Sequence, residues 1–302
     1  MLINDTIKFF RTMKNIPSSS MFPDHSKSYY SKLENGRSSI KINELNNVLN
    51  RLELTTSEFF FYFDDGFDGE FVNLFRDCSI HPEDHMRKEN LLKHYYSIEM
   101  AYSKNSKILA QYYSIKSHFL GKWPNIKSFS NTEKEHIINY LTEKSFYTYY
   151  DYVLFSNSIV YFDRRQTLDV TTRMLPIAWE SFRDHETKKY AYTAYINIIT
   201  ARIYNKEYDE AKLYIEMAEK EDIKSSNYFF KFSIQYLKNM ILFIETEDLV
   251  YLNKIYNFIS LVEDAGDSSM ANLLKEEVSN FALKSKKISD GEIYPNTLMK
   301  DQ

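Results

Sequence analysis

Apolar residues recur along this chain at intervals of three and four, the spacing of helices with one inward face. Within residues 1–65 the stripes are short. Ile3, Ile7, Phe10 and Met13 share a face, with Lys8, Arg11 and Lys14 between them. Ile42, Leu45, Val48, Leu49 and Leu52 make another, and Thr55 precedes Glu58 at the spacing of a capping box ahead of Phe59 and Phe60. Between these stripes, IPSSSMFPDH is fenced by Pro17 and Pro23, which leave room for about one helical turn. SKSYYSKLENG then reads as a compact helix, opened by a Ser26 or Ser28 cap and closed by Gly36 in the left-handed conformation. Asp64-Asp65-Gly66-Phe67-Asp68-Gly69 predicts a linker.

Past residue 70 no strand-like alternation appears. The run AYINIITARIYNKEYDEAKLYIEMAEK, Ala194 to Lys220, predicts a helix with Tyr195, Ile198, Ile199 and Ile203 inward, a tight Asn205-Lys206-Glu207 turn, and a second helix with Ala211, Ile215 and Ala218 inward. The small residues allow close approach, as in a tetratricopeptide-like hairpin. Tyr228 to Ile244 and Leu249 to Val262, joined by Glu245-Thr246-Glu247, repeat the layout. The expected fold is all-α. A five-helix helix-turn-helix domain (1–65) and a linker (66–72) lead into a right-handed superhelical array of tetratricopeptide-like hairpins for ligand binding and dimerisation (73–285), and a flexible tail (286–302) follows.

Composition agrees: six Gly and six Pro stand where average usage gives about 20 and 15, a scarcity that disfavours turn-rich strand folds. The single Cys78 forms no internal disulfide, and MLINDTIKFF lacks the layout of a signal peptide, so a cytoplasmic setting is expected. The Phe59–Phe63 aromatic run falls far below the ~18 apolar residues of a membrane span. Formal charge is −4, yet residues 1–41 hold seven basic residues (Lys8, Arg11, Lys14, Lys27, Lys32, Arg37, Lys41) against Asp5, Asp24 and Glu34, a net +4 that leaves −8 for the rest. A basic head on an acidic body fits a chain that meets phosphate at one end.

Signals for catalysis or metal binding fail. His81 and His85 are four apart, but Pro82-Glu83-Asp84 between them reads as a helix start. A calcium loop beginning at Asp64 would need Glu where Phe75 stands, and Gly121-Lys122 has Lys116 in place of the earlier glycine of a phosphate loop. There is no Gly-x-Ser-x-Gly elbow, and Cys78 has no histidine context beyond His81 and His85. No enzyme, cofactor or metal is expected.

Lys8 and Arg11, Ser26-Lys27-Ser28, Ser31-Lys32-Leu33-Glu34-Asn35-Gly36, Ile40, Leu45, Leu49, Leu52 and Glu58-Phe59 together resemble the Cro/repressor-type helix-turn-helix of the Rgg family of bacterial peptide-pheromone regulators. One departure is the second helix, usually well formed in that family, where SSSMFPDH with Pro23 stands here. The resemblance implies a homodimer that binds double-stranded promoter DNA and whose repeat domain senses a short imported signalling peptide.

On that basis Arg11, Ser26, Lys27, Ser28, Tyr29, Lys32 and Arg37 are the candidate DNA-binding residues. Lys27, Ser28 and Tyr29 lie at the N-terminal end of the recognition helix, where base edges are read, while Lys32 and Arg37 are placed for phosphates. Tyr30 and Leu33 read as core and Glu34 as an internal partner of Arg11. Polar residues set among apolar ones, Asn157, Asn197 and Asn239 with Arg164 and Arg202, are the candidate peptide-binding set. Asparagine both donates to and accepts from a peptide backbone, and arginine meets a terminal carboxylate. Two other classes compete: a protein-binding repeat scaffold with a degenerate head, and a helical enzyme, for which no constellation exists.

Overall fold

The computed structural model describes residues 3–23, 25–63, 69–99, 105–221 and 227–284, and every regular element among them is a helix. The chain divides into two compact units, Met1–Leu91 and Leu92–Gln302.

The first unit opens with α1 (Ile3–Met13), α2 (Ser18–Met21), α3 (Lys27–Glu34), α4 (Ile42–Leu52) and α5 (Thr56–Phe63). The stripes seen in the sequence are the ones that turn inward. Ile7, Met21, Phe22, Tyr30, Leu33, Leu45, Val48, Leu49, Leu52 and Phe59 form one buried cluster. Helix α2 is a single turn because Pro17 starts it without a side-chain cap and Pro23 follows it closely. It nonetheless supplies Met21 to the core, with Phe22 just after it. Ser26 caps α3, its hydroxyl accepting the Tyr29 N–H at 3.3 Å. The helix stops at Gly36, which takes φ +69°. The Gly36 N–H donates to the Leu33 carbonyl at 3.0 Å and the Arg37 N–H to the Lys32 carbonyl at 2.7 Å, the paired bonds of a Schellman close. Thr55 and Glu58 form the expected box, Glu58 N–H to Thr55 Oγ1 at 3.1 Å and Thr55 N–H to Glu58 Oε2 at 2.8 Å.

Residues 64–68 of the predicted linker, with the calcium-like loop, lie outside the described residues. Gly69 to Val72 do not link: they begin α6 (Gly69–Ile80), which α7 (His85–Glu99) follows. The division at Leu91 therefore groups residues 73–91 with the head rather than with the repeats. His81 closes α6 through its N–H to Asp77, whereas His85 opens α7 behind Asp84, whose carboxylate accepts the Met86 and Arg87 N–H groups at 3.1 Å. The two histidines thus sit on separate elements.

The second unit contains α8 (Ser106–Phe119), α9 (Asn131–Thr142), α10 (Tyr149–Ser158), α11 (Arg164–Met174), α12 (His185–Tyr204), α13 (Tyr208–Lys220), α14 (Tyr228–Thr246), α15 (Leu249–Asp264) and α16 (Ser268–Lys284). Alternate helices stack: α8 on α10, α10 on α12, α12 on α14 and α14 on α16. The others form a second layer, with α9 against α11, α13 against α12 and α14, and α15 against α14 and α16. This is the arrangement of tetratricopeptide-like hairpins, and the unit follows a helix-turn-helix head. The α12–α13 hairpin matches its pattern, with Ala211 and Ala218 fully covered and Lys206 at φ +61° making the turn. Helix α12 is longer than its apolar run indicated, because Asp184 caps it ten residues before Ala194; the Asp184 carboxylate accepts the Thr187 N–H at 2.9 Å. The predicted tail, residues 286–302, lies outside the described residues.

Candidate nucleic-acid interface and ligand face

In the head, α3 has one buried edge, Tyr30 and Leu33, and one open edge, on which Lys27, Ser28, Ser31 and Lys32 are exposed together with Arg37 just beyond. The open edge stays rigid because its backing is tied on three sides. Arg11 on α1 forms a bidentate pair with Glu34, Nε to Oε1 at 2.5 Å and Nη2 to Oε2 at 3.1 Å, and its Nη1 donates to the Ile16 carbonyl at 3.0 Å. Arg51 on α4 donates to the Met21 carbonyl at the end of α2. Tyr29 donates its hydroxyl to Glu44 on α4 at 2.7 Å, and His25 stacks on the Tyr29 ring at 4.1 Å. The Tyr29 hydrogen bond holds the Glu44 carboxyl below the usual carboxylate range.

Two sequence expectations change here. Arg11 is paired with Glu34, so its charge helps position α3. Tyr29 faces α4 through its hydroxyl, so Lys27 and Ser28 remain as the exposed base-edge candidates of the first turn. Ser26 serves as the helix cap.

The second unit carries a different kind of face. Between Tyr190 and Tyr204, every residue of α12 is buried except Tyr190, Thr193, Asn197, Ala201 and Tyr204, which form one half-buried line at helical spacing. Helix α10 is buried from Asp151 to Ser158, with Asn157 at 7% exposure. Asn157 Nδ2 donates across to Ser114 Oγ on α8 at 2.8 Å, and Asn197 Nδ2 donates to the Ser156 carbonyl on α10 at 2.9 Å. These contacts fix which way each amide points. A carbonyl only accepts, and Ser114 gives its own proton to the Ala110 carbonyl at 2.7 Å, so its oxygen accepts from Asn157. Each asparagine therefore turns its nitrogen inward and keeps Oδ1 as an acceptor without a hydrogen bond among the described residues. Asn239 on α14 is half-buried and makes no hydrogen bond among them.

The two arginines of the candidate set do not join this face. Arg202, 2% exposed, pairs with Glu207 at 2.6 Å and donates to Thr167 Oγ1 on α11 at 2.7 Å, while Arg164 pairs with Glu210 on α13. Arg202 is thus tied into the other helical layer, while Arg164 pairs there through a side chain of its own that remains largely exposed. Burial pushes the Cys78 thiol up to about 11, which keeps it protonated and unreactive.

Residues 89–276 match the family model for the C-terminal domain of the HTH-type transcriptional regulator Rgg, well over half of the chain. The chain belongs to the Rgg family. That family is a class of transcription regulators rather than of enzymes, and its C-terminal domain begins close to the division at Leu91. Solved structures show the same fold over nearly the full length. The PrgX/cCF10 complex superposes with a TM-score of 0.78 at 20% identity, covering 96% of this chain and 95% of that one. A bacterial peptide pheromone/receptor complex gives 0.74 at 20% identity, with 93% and 98% covered. The SHP pheromone receptor Rgg2 of Streptococcus dysgalactiae gives 0.73 at 19% identity, with 93% and 99% covered. Among curated protein sequences no relative matches. The head of this Rgg-family chain is a capped, packed helix-turn-helix, which sets aside the reading of a degenerate one, and no helix of the described residues is long and apolar enough to cross a membrane.

Sequence reasoning missed Tyr190, Thr193 and Tyr204 as companions of Asn197. Their signal was present as a line of polar or half-polar residues at steps of three and four inside an otherwise apolar helix. Tyrosine and threonine at such positions look like packing until the neighbouring helices are placed.

Proposed function

We propose that this Rgg-family chain is a cytoplasmic, sequence-specific regulator that binds promoter DNA as a homodimer through α3 and senses a short signalling peptide along the half-buried line of α12, beside Asn157 of α10 and Asn239 of α14. Catalysis plays no part in this reading. Lys27 and Ser28 read base edges, and Lys32 and Arg37 set register on phosphates. Two copies place their recognition helices in successive major grooves, about 34–36 Å apart.

The observation that carries the sensing half is the pair of inward-anchored asparagines. Asn157 and Asn197 present acceptors from neighbouring stacked helices, whose axes lie about 8–10 Å apart. That distance is spanned by about three residues of extended chain, whose backbone N–H groups are the matching donors. Relatives of this fold include receptors for peptide pheromones, which agrees with such a ligand.

A mobility-shift assay with the fragment upstream of the gene tests the DNA half. Retardation that weakens steeply with salt is expected; no retardation at low salt would refute it. For the sensing half, synthetic peptides from small open reading frames adjoining the gene are titrated by calorimetry. Binding that Asn157→Ala and Asn197→Ala abolish is the expected result.

A further inference from the structure

Two rows of side chains cross α8, α10 and α12, and only one of them takes part in the sensing site proposed above. That one is the amide row, Ser114 on α8, Asn157 on α10 and Asn197 on α12, held by the Asn157–Ser114 bond and by the bond from Asn197 to the Ser156 carbonyl. The other row is aromatic. Lys107 Nζ lies 5.6 Å from the centre of the Tyr150 ring, Tyr150 packs edge to face with Tyr149 at 5.0 Å, and Tyr149 does the same with Tyr190 at 5.4 Å. These contacts join the same three helices, and all four residues are half-buried.

The rows are in register. Lys107, Tyr150 and Tyr190 each stand seven residues before Ser114, Asn157 and Asn197 on their own helix. Seven residues are nearly two full turns, so each pair shares a face and the rows lie about 10.5 Å apart. The equal offset means that the three helices run side by side in one direction. Between the rows, three residues on from Lys107, Tyr150 and Tyr190, stand the short side chains of Ala110, Val153 and Thr193. Ala110 and Val153 are buried, and Thr193 is half-buried with its hydroxyl donated to the Lys189 carbonyl at 2.9 Å. The result is a shallow trough across the helices, walled by amides on one side and by phenol rings on the other. An extended chain with a neighbour on each edge occupies about 9.6 Å, twice the spacing of paired strands. One such chain fits. From α8 to α12 the trough spans two interhelical distances, about 16–20 Å, or roughly five to six extended residues.

We propose that this trough seats the last residues of the signalling peptide, with Lys107 receiving the C-terminal carboxylate and the Tyr150, Tyr149 and Tyr190 rings packing apolar side chains. That a peptide binds at all rests on the function proposed above; its direction and the chemistry of its end come from the second row. A carboxylate calls for a cation, and Arg202 is tied to Glu207 and Thr167 in the other layer. Lys107 is the charged member of the aromatic row. Its ammonium has three N–H donors, so it can stay on the Tyr150 ring and still meet a carboxylate oxygen. The row ends at Lys107, which places the terminus at α8 and the preceding residues toward α12. Phenol rings half out of water offer flat apolar surface, so aliphatic and aromatic side chains gain most along that wall.

The test is affinity selection on the immobilised full chain from two pools of N-acetylated hexapeptides. Both are randomised over every residue except cysteine; one carries a free C-terminal carboxylate and the other an amide. Wild type should retain the acids about ten- to a hundredfold better than the amides, the worth of a charge-assisted hydrogen bond, and should enrich apolar side chains. Lys107→Gln should erase the preference for acids and Lys107→Arg should keep it, which separates a lost charge from a lost fold. Tyr190→Ala, at the far end of the row, should lower retention about three- to tenfold with the acid preference intact. Equal retention of both pools by wild type, or an acid preference that survives Lys107→Gln, overturns the assignment. Amides retained through an Asp or Glu, and lost in Lys107→Gln, would give Lys107 a side-chain carboxylate and overturn the terminal one. If Asn157→Ala and Asn197→Ala leave retention unchanged while Lys107→Gln removes the preference, the amide row fails and the carboxylate site stands. If wild type retains neither pool, both readings fall.

Discussion

The two faces of this Rgg-family chain are built on opposite plans. In the head, the functional edge of α3 is charged and exposed, and the buried work behind it is done by Leu33, Tyr30 and the Arg11–Glu34 pair. In the repeat unit the face is nearly neutral, a thin polar line in a layer of buried helices, and its anchoring bonds run within the face itself, from Asn157 to Ser114 and from Asn197 to Ser156. An edge that meets phosphate needs charge kept in water and a rigid back. A face that meets a peptide backbone needs acceptors held in one orientation. Changes behind the head should therefore alter stability first, and changes within the line should alter recognition first.

The largest expected effect comes from Leu33→Ala. Leu33 is fully covered at the centre of the head core, and truncation there costs about 3 kcal/mol from lost burial and the cavity left behind. Chemical denaturation should show the loss, with promoter binding failing alongside it. Arg11→Ala comes next, at about 2 kcal/mol, because Glu34 would keep a half-covered charge without its bidentate partner. If Arg11→Ala lowered DNA affinity and the salt slope while leaving stability intact, Arg11 would be a phosphate contact after all, and the head would have no charged brace.

Lys27→Ala with Lys32→Ala inverts that outcome: stability unchanged within error, affinity down by about tenfold or more, and a salt slope shallower by about 0.9 for each lost phosphate contact. Asn197→Ala is smaller in stability, about 1 kcal/mol for the bond to the Ser156 carbonyl. Its signature is loss of peptide response with basal promoter binding retained. A variant that loses promoter binding too would show that the repeat line is structural.

How much of this was legible beforehand follows the same contrast. The head could be read in detail because its information is local: Ser26 as cap, Gly36 as stop and Thr55 with Glu58 as a box are near-neighbour devices, and all three form as their spacing requires. The Arg11–Glu34 pair was foreseen as well, although its consequence for Arg11 as a DNA contact was not. The repeat face depends on which helices stack, and spacing within one helix does not reveal that. In sequence Asn157, Asn197, Arg164 and Arg202 are alike as polar residues among apolar ones, yet stacking joins the asparagines to Ser114 and Ser156 on the neighbouring stacked helices and the arginines to Glu210 and Glu207 in the other layer.

The smallest effect sharpens the comparison at the one residue where the head mixes the two plans. Tyr29 lies in the first turn of α3, where the proposed function puts base reading, but its hydroxyl is given to Glu44. That bond keeps the Glu44 carboxyl low, so it favours the fold above the usual carboxylate range and the contribution fades as pH falls through the folded value. Tyr29→Phe should raise the Glu44 titration toward its ordinary range, read by the side-chain carboxyl resonance, and should cost less than 1 kcal/mol, on the order of one partly solvated hydrogen bond. Operator preference should be unchanged, because the removed oxygen faces α4. A shift in which base pairs are selected, with Glu44 titrating as before, would place Tyr29 on the DNA side of α3 and return the first turn to three reading residues instead of two.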